Sequence, residues 1–162
     1  MTESKSTRDY IKNWGRTAAR SHKPNSFETY AGGLHIGTVS VVWSESASDF
    51  VWQSLPTFTG GWSSVHTSET QAADALHTDY YKRMSQMSVG QWLQVMCKRH
   101  QMTQAGLAER LELSRVTVNH WCTGKRLPDV NHWHMLSVLF ANAEQCEQRQ
   151  MLGHMSLLQK KV

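Results

Sequence analysis

The sequence predicts an α+β chain: a small antiparallel β-sheet plus one helix in the N-terminal half, and an all-α C-terminal half. Three observations lead there. Apolar residues alternate with a period of two in LHIGTVSVVW (34–43), the signature of a half-buried strand. From Trp92 onward they fall instead into short pieces at helical spacing, two of them preceded by a capping residue, Thr103 and Ser114. Charge changes along the same line: residues 1–26 carry Lys5, Arg8, Lys12, Arg16, Arg20 and Lys23 against Glu3 and Asp9, no lysine or arginine occurs between Pro24 and Tyr81, and cations return at Lys82 and Arg83. A chain of 162 residues accommodates one ordinary domain or two small ones.

In residues 1–26, Arg8, Lys12, Arg16 and Arg20 recur every four residues and form a drifting basic stripe on a helix, with Ile11, Trp14 and Ala18 toward another side. Gly15 weakens that helix. The segment reads as a basic helix or arm, either solvated or lying along phosphates or on the acidic segment that follows.

Residues 27–86 read as a β-β-β-α unit. The strands are 34–43, FVWQSLP (50–56) and a short one around Trp62 to His66, with SESASD and TFTGG as turns. The glycines of AGGLHIG precede a strand, where a phosphate loop would open a helix, so they read as a turn. Ser68 caps ETQAADALHTDYYKRM, whose apolar face is Ala72, Ala75, Leu76, Tyr80 and Met84. Such a unit covers one sheet face with its helix and leaves the other available. Trp43, Trp52, Phe58 and Trp62 each suit the core or the open face, and a surplus tryptophan on the open face marks a protein-binding surface. The polar SQMSVGQW (85–92), with Gly90, reads as the seam between domains.

Residues 87–142 form a run of short helices. Trp92, Val95 and Met96 stand at helical spacing; Thr103 caps a helix whose inner face is Leu107, Ala108 and Leu111; Ser114 caps the next, with Val118 and Trp121 inward. Gly124 stops that helix, and Pro128 with Asp129 opens another with Val130, Trp133, Leu136 and Phe140 inward. Residues 143–162 hold a C-terminal helix with Met151, Met155 and Leu158 at helical spacing, either a dimer element or a helix packed on its own domain.

Several function classes fall away. Cys97, Cys122 and Cys146 are odd in number and form no CxxC pair, so they read as buried small side chains; the nine histidines are scattered, and neither metal nor cofactor is expected. No nucleophile motif or phosphate loop points to an enzyme. No run reaches the roughly 18 apolar residues of a membrane span, and MTESKSTRDYIKNW lacks the apolar core of a signal peptide, so a cytoplasmic location is expected.

Gln104, Leu107, Ala108, Leu113, Ser114, Val118, Trp121, Gly124, Lys125, Arg126 and Pro128 stand in the order of the Cro/repressor type of helix-turn-helix domain. Over about residues 88–142 the chain resembles this lambda-repressor-like class of phage and bacterial transcription regulators. Cys122 departs from the pattern, since many members have a glutamate there. The resemblance implies an all-α helix-turn-helix fold and binding of double-stranded DNA by the helix after Ser114. A major groove about 12 Å wide admits one helix, whose N-terminal residues reach base edges. Arg115 matches the guanine O6/N7 pair, Val116 a thymine methyl, and Thr117, Asn119 and His120 further base or backbone positions. Gln104, Ser114, Lys125 and Arg126 are the expected phosphate contacts, with Arg99 and Arg110 at longer range. The implied regulator is a repressor that binds an inverted repeat as a homodimer. The alternative is an antitoxin or a phage or plasmid inhibitor, in which the acidic middle domain binds a partner protein and the DNA-binding domain regulates its own operon.

Overall fold

The computed structural model describes residues 26–58 and 63–160. The basic stripe before Ser26 and Trp62 lie outside the described residues. The elements are β1 (Ser26–Ala31), β2 (Leu34–Ser44), β3 (Asp49–Pro56), β4 (Ser64–His66), α1 (Glu69–Gln86), α2 (Val89–Arg99), α3 (Gln104–Arg110), α4 (Arg115–Cys122), α5 (Val130–Glu144) and α6 (Gln148–Ser156). The fold is α+β, as expected, with one addition. The sheet has four strands in the order β1-β2-β3-β4, so SFETYA is a strand that the three-strand reading omitted. Its only apolar alternation is Phe27 and Ala31 around polar residues, too little to stand out in the sequence. Gly32 and Gly33, with φ of 47° and 76°, make the two-residue turn that returns β1 into β2.

The chain divides into two compact units, one of residues 26–29 and 36–78 and the other of residues 30–35 and 79–160 among those described. In the first, β2 pairs with β3 so that Val41 faces Trp52 and Val39 faces Ser54, and β3 pairs with β4 so that Trp52 faces His66. This face is the covered one: Val39, Trp52 and Ala72 are buried, and a side chain at Gly37 would meet Leu76 of α1 at 2.7 Å. Buried Ser54 is satisfied by Ser64 at 2.7 Å and His66 at 3.0 Å. Phe58 is also core, whereas Trp43, 56% exposed, sits at the distal end of the covered face with its ring edge-on to Phe50. The open face carries Leu55 and Val65, exposed, with Val42 and Val51 half-buried. No tryptophan among the described residues lies on it.

In the second unit the core is built around Trp92, Leu93, Met96, Leu107, Val118, Trp121, Leu136 and Phe140, all fully buried or nearly so. Trp92 meets Phe140 edge-on at 5.2 Å. The expected caps are in place: Ser68 accepts from Gln71 N–H at 3.2 Å, and Thr103 and Ser114 each accept from a backbone N–H of the first turn of α3 and α4, while Ser88 and Asp129, not predicted as caps, cap α2 and α5 in the same way. Val130, expected inward, is 69% exposed and Trp133 only half-buried, so the fully buried face of α5 begins at Leu136. Met151, Met155 and Leu158 of the C-terminal segment are buried in their own unit. Gly90 has a role that a domain seam would not need. A Cβ there would lie 2.7 Å from the carbonyl oxygen of Trp121 and 2.5 Å from that of Cys122, so α2 begins in direct contact with the end of α4.

Two ionisable clusters tie this unit together. Glu144, almost fully buried, accepts from Arg99 and from His100 at 2.7 Å, and Arg99 also donates to the carbonyl of His35 at 3.0 Å. The buried Tyr80 hydroxyl is 2.6 Å from Nδ1 of His154, whose Nε2 is 3.0 Å from the carbonyl oxygen of Gly32. Burial raises the Tyr80 pKa, so its hydroxyl keeps its proton and donates it to Nδ1; Nε2–H then donates to Gly32, and the ring is neutral. Burial also lowers the His154 pKa, against the Gly32 and Ala31 carbonyls, which favour the charged ring.

Gly90→Ala is expected to destabilise the protein by about 1–3 kcal/mol, since rigid carbonyls cannot yield to the added methyl; urea unfolding followed by circular dichroism measures this. At His154 the folded chain binds fewer protons than the unfolded one. Its contribution is therefore complete above its ordinary value of 6.5 and is lost as pH falls through the lower folded value. The urea midpoint should fall on acidification below pH 6.5, and His154→Gln should be less stable at neutral pH but show a flatter acid limb.

Candidate nucleic-acid interface

The second and third helices of this half are joined by a turn too short to leave freedom of angle. Leu113 N–H donates to the carbonyl of Ala108 at 2.8 Å, and Glu112 takes a left-handed conformation, φ 55°. Ser114 then starts α4: its hydroxyl accepts from Thr117 N–H at 3.2 Å and lies 2.9 Å from the Thr117 hydroxyl. Val118, Trp121 and Cys122 are buried, and Gln94 of α2 donates to the carbonyl of Cys122 at 2.9 Å. That contact and the one at Gly90 hold the C-terminal end of α4 from one side.

The other side of α4 faces out. Arg115, Val116 and Asn119 are exposed and His120 half-buried, and Val116 at 62% exposure has no core role. Among the expected base-reading residues, Arg115, Val116, Asn119 and His120 share this surface, while Thr117 is half-buried beside its cap. Among the expected phosphate contacts, the hydroxyl of Ser114 is engaged as the cap of α4. Gln104, the first residue of α3, accepts through Oε1 from Nδ2 of Asn119 at 3.2 Å. Sequence reasoning assigned these two to different tasks, and the structure brings them together. No local pattern announces a pairing between residues on two helices.

Gly124 closes α4 in a left-handed conformation, φ 73°; its N–H reaches Trp121 O at 3.2 Å and that of Lys125 reaches His120 O at 2.9 Å. This Schellman geometry delivers Lys125 and Arg126, both exposed, directly after the outward face. Among the described residues, Arg115, Lys125 and Arg126 form no ion pair with a carboxylate. Arg99, in contrast, is committed to Glu144 and the His35 carbonyl, and Arg110 is exposed at the end of α3.

Cys122 occupies the position where the resemblance expects a glutamate, and the structure explains how it serves: it is core. Burial pushes its thiol up and raises Cys97 to about 11, with Cys122 a second influence. Both remain protonated and pack as small apolar groups. Cys146, half-buried, is raised by burial and then by Glu144. Among the described residues, no group of three His, Cys, Asp or Glu side chains is placed to hold a metal ion, and no helix is long and apolar enough to cross a membrane.

The arrangement can insert one helix into a groove while cations flank it. No curated protein and no solved structure matches the chain. Residues 93–140, from α2 into α5, match the helix-turn-helix family model, and this half of the chain carries a DNA-binding helix-turn-helix of the Cro/C1 type.

Proposed function

We propose that the protein is a sequence-specific transcription regulator that binds an inverted repeat in double-stranded DNA as a homodimer and acts as a repressor. The observation that carries this reading is the outward face of α4. Arg115, Val116, Asn119 and His120 stand together on a helix whose opposite face is locked into the core, and Lys125 and Arg126 follow it. A surface valine beside an arginine and an asparagine suits groove edges, where a methyl, a guanine and an adenine each find a partner. Arg115 reads bases, Lys125 and Arg126 hold the backbone, and Gln104 positions Asn119 while its own amide N–H groups reach a phosphate. A single helix of this kind reads only a few base pairs, and two half-sites about 34 Å apart supply the remaining specificity. Blocking a promoter needs only occupancy, which this domain suffices to supply.

A second reading is favoured by the first unit. Its described residues contain Glu28, Glu45, Asp49, Glu69 and Asp74 but no lysine or arginine, and they expose the adjacent pair Trp43 and Phe50 at the distal end of the sheet. An acidic surface repels DNA, and exposed aromatic side chains suit a protein partner. In this version the first unit is the antitoxin or inhibitor module and the helix-turn-helix regulates its operon.

Selection from a random DNA library with the full chain should enrich a palindromic motif. On that motif, Arg115→Ala is expected to cost about 1–3 kcal/mol and to relax one base preference, whereas Lys125→Ala weakens cognate and random DNA alike and lowers the salt slope by about 1. Equal losses on both DNAs from Arg115→Ala would remove it from base reading. For the second reading, a protein that co-purifies with the wild type should be lost with Trp43→Ala while DNA binding is retained; retention of the protein by that variant counts against this surface.

A further inference from the structure

We propose that the outward face of α5 is a two-fold contact between two copies of this chain. It deepens the regulator reading by naming the surface that joins the two copies. From Val130 to Ala143, α5 has no Asp, Glu, Lys or Arg. Leu136 and Phe140 fill the core on one side, yet the opposite side exposes Met135 at 41% and Val138 at 44%. An exposed apolar pair in the middle of an uncharged helix face, rimmed by polar Asn131, His134 and Asn142, has the make-up of a contact surface. Beside the exposed pair lies a cleft of about 400 Å³, lined by Leu111, Met135, Val138 and Leu139 and edged by Arg110 and His134.

The order of residues on that face identifies the occupant. Asn131, Met135, Val138 and Asn142 fall on one line along the helix, flanked by His134 and Leu139. They are symmetric about the point between Leu136 and Ser137. An antiparallel second α5 crossing there sets Met135 against the partner's Val138 and Asn131 against the partner's Asn142. Two-fold contacts pair each position with its symmetry counterpart, so a surface must complement itself. This face does: apolar meets apolar and amide meets amide. Arg110 stands only at the rim of this cleft, on α3 and off the line of α5, whereas elsewhere the unit presents Lys98, Arg115, Lys125 and Arg126, where a second copy would bring like charges together. The C-terminal helix has no such face to offer, since Met151 and Met155 are spent on its own core.

The contact is small. A helix of 15 residues is about 22 Å long, and one face of it falls short of the roughly 800 Å² per partner of a standard interface. The association is therefore weak without DNA and is completed when two half-sites bring the copies together.

Sedimentation equilibrium of the full chain without DNA tests the contact. The wild type is expected to show a concentration-dependent monomer–dimer equilibrium. Met135→Glu, an exposed position whose change leaves the core intact, should weaken it about tenfold or more, because it sets a charge against the partner's apolar face. The double variant Met135→Lys/Val138→Glu should restore it by placing opposite charges across the axis. A wild type that stays monomeric throughout, or a dimer that Met135→Glu leaves unchanged, overturns the proposal. The function reading is tested separately by gel shift with one and with two half-sites. Absence of DNA binding beside a dimer that responds to these variants sinks the regulator and keeps the contact, and tight cognate binding by a strict monomer does the reverse.

Discussion

The carbonyl oxygens of Trp121 and Cys122 are where α4 is tied to the rest of its unit. Gly90 lies against both, at a distance no side chain would permit, and Gln94 donates to the second. An eight-residue helix has too few internal hydrogen bonds to persist alone, so its direction must come from its neighbours. Here the cap at Ser114 fixes where it begins, the Schellman turn at Gly124 where it ends, and the start of α2 how deeply it is seated. Everything that faces outward from α4 inherits its position from that contact.

Charge is divided by the same logic. Arg99 and His100 serve Glu144 inside the unit, and burial with hydrogen bonding makes that cluster a fastener. The cations that follow α4 have no such partner among the described residues and remain for an external anion. Two arginines of similar chemistry, Arg99 and Arg115, thus do opposite work because one is next to a buried carboxylate and the other is at the first turn of an exposed helix.

The helices were legible because their signals are local. Thr103 and Ser114 announce caps, Pro128 with Asp129 a restart and Gly124 a stop, whereas the capping box of Ser88 and Gln91 sits in a stretch that reads as a seam. The outward set on α4 followed from the burial of Val118 and Trp121 by simple periodicity. What was not legible depends on residues distant in sequence. The first strand has too little apolar alternation to announce itself and is a strand because β2 offers it an edge. Gly90 looked like punctuation, since only the carbonyls 31 and 32 positions later reveal why a side chain is excluded there. The exposure of Val130 and the burial of Met151 and Met155 depend on where neighbouring helices end.

The hydrogen bond between Asn119 and Gln104 shapes how this domain can change over generations. Replacing Asn119, which on the proposed reading would alter the base it meets, leaves the Gln104 side-chain carbonyl without its donor and lets that side chain swing, so the effect of one substitution depends on the identity of the other. On the proposed reading, a lineage that changes its DNA preference through this helix is therefore expected to travel by paired changes at the two positions. The outward residues Arg115 and Val116, which carry no such tie, are the ones free to drift singly.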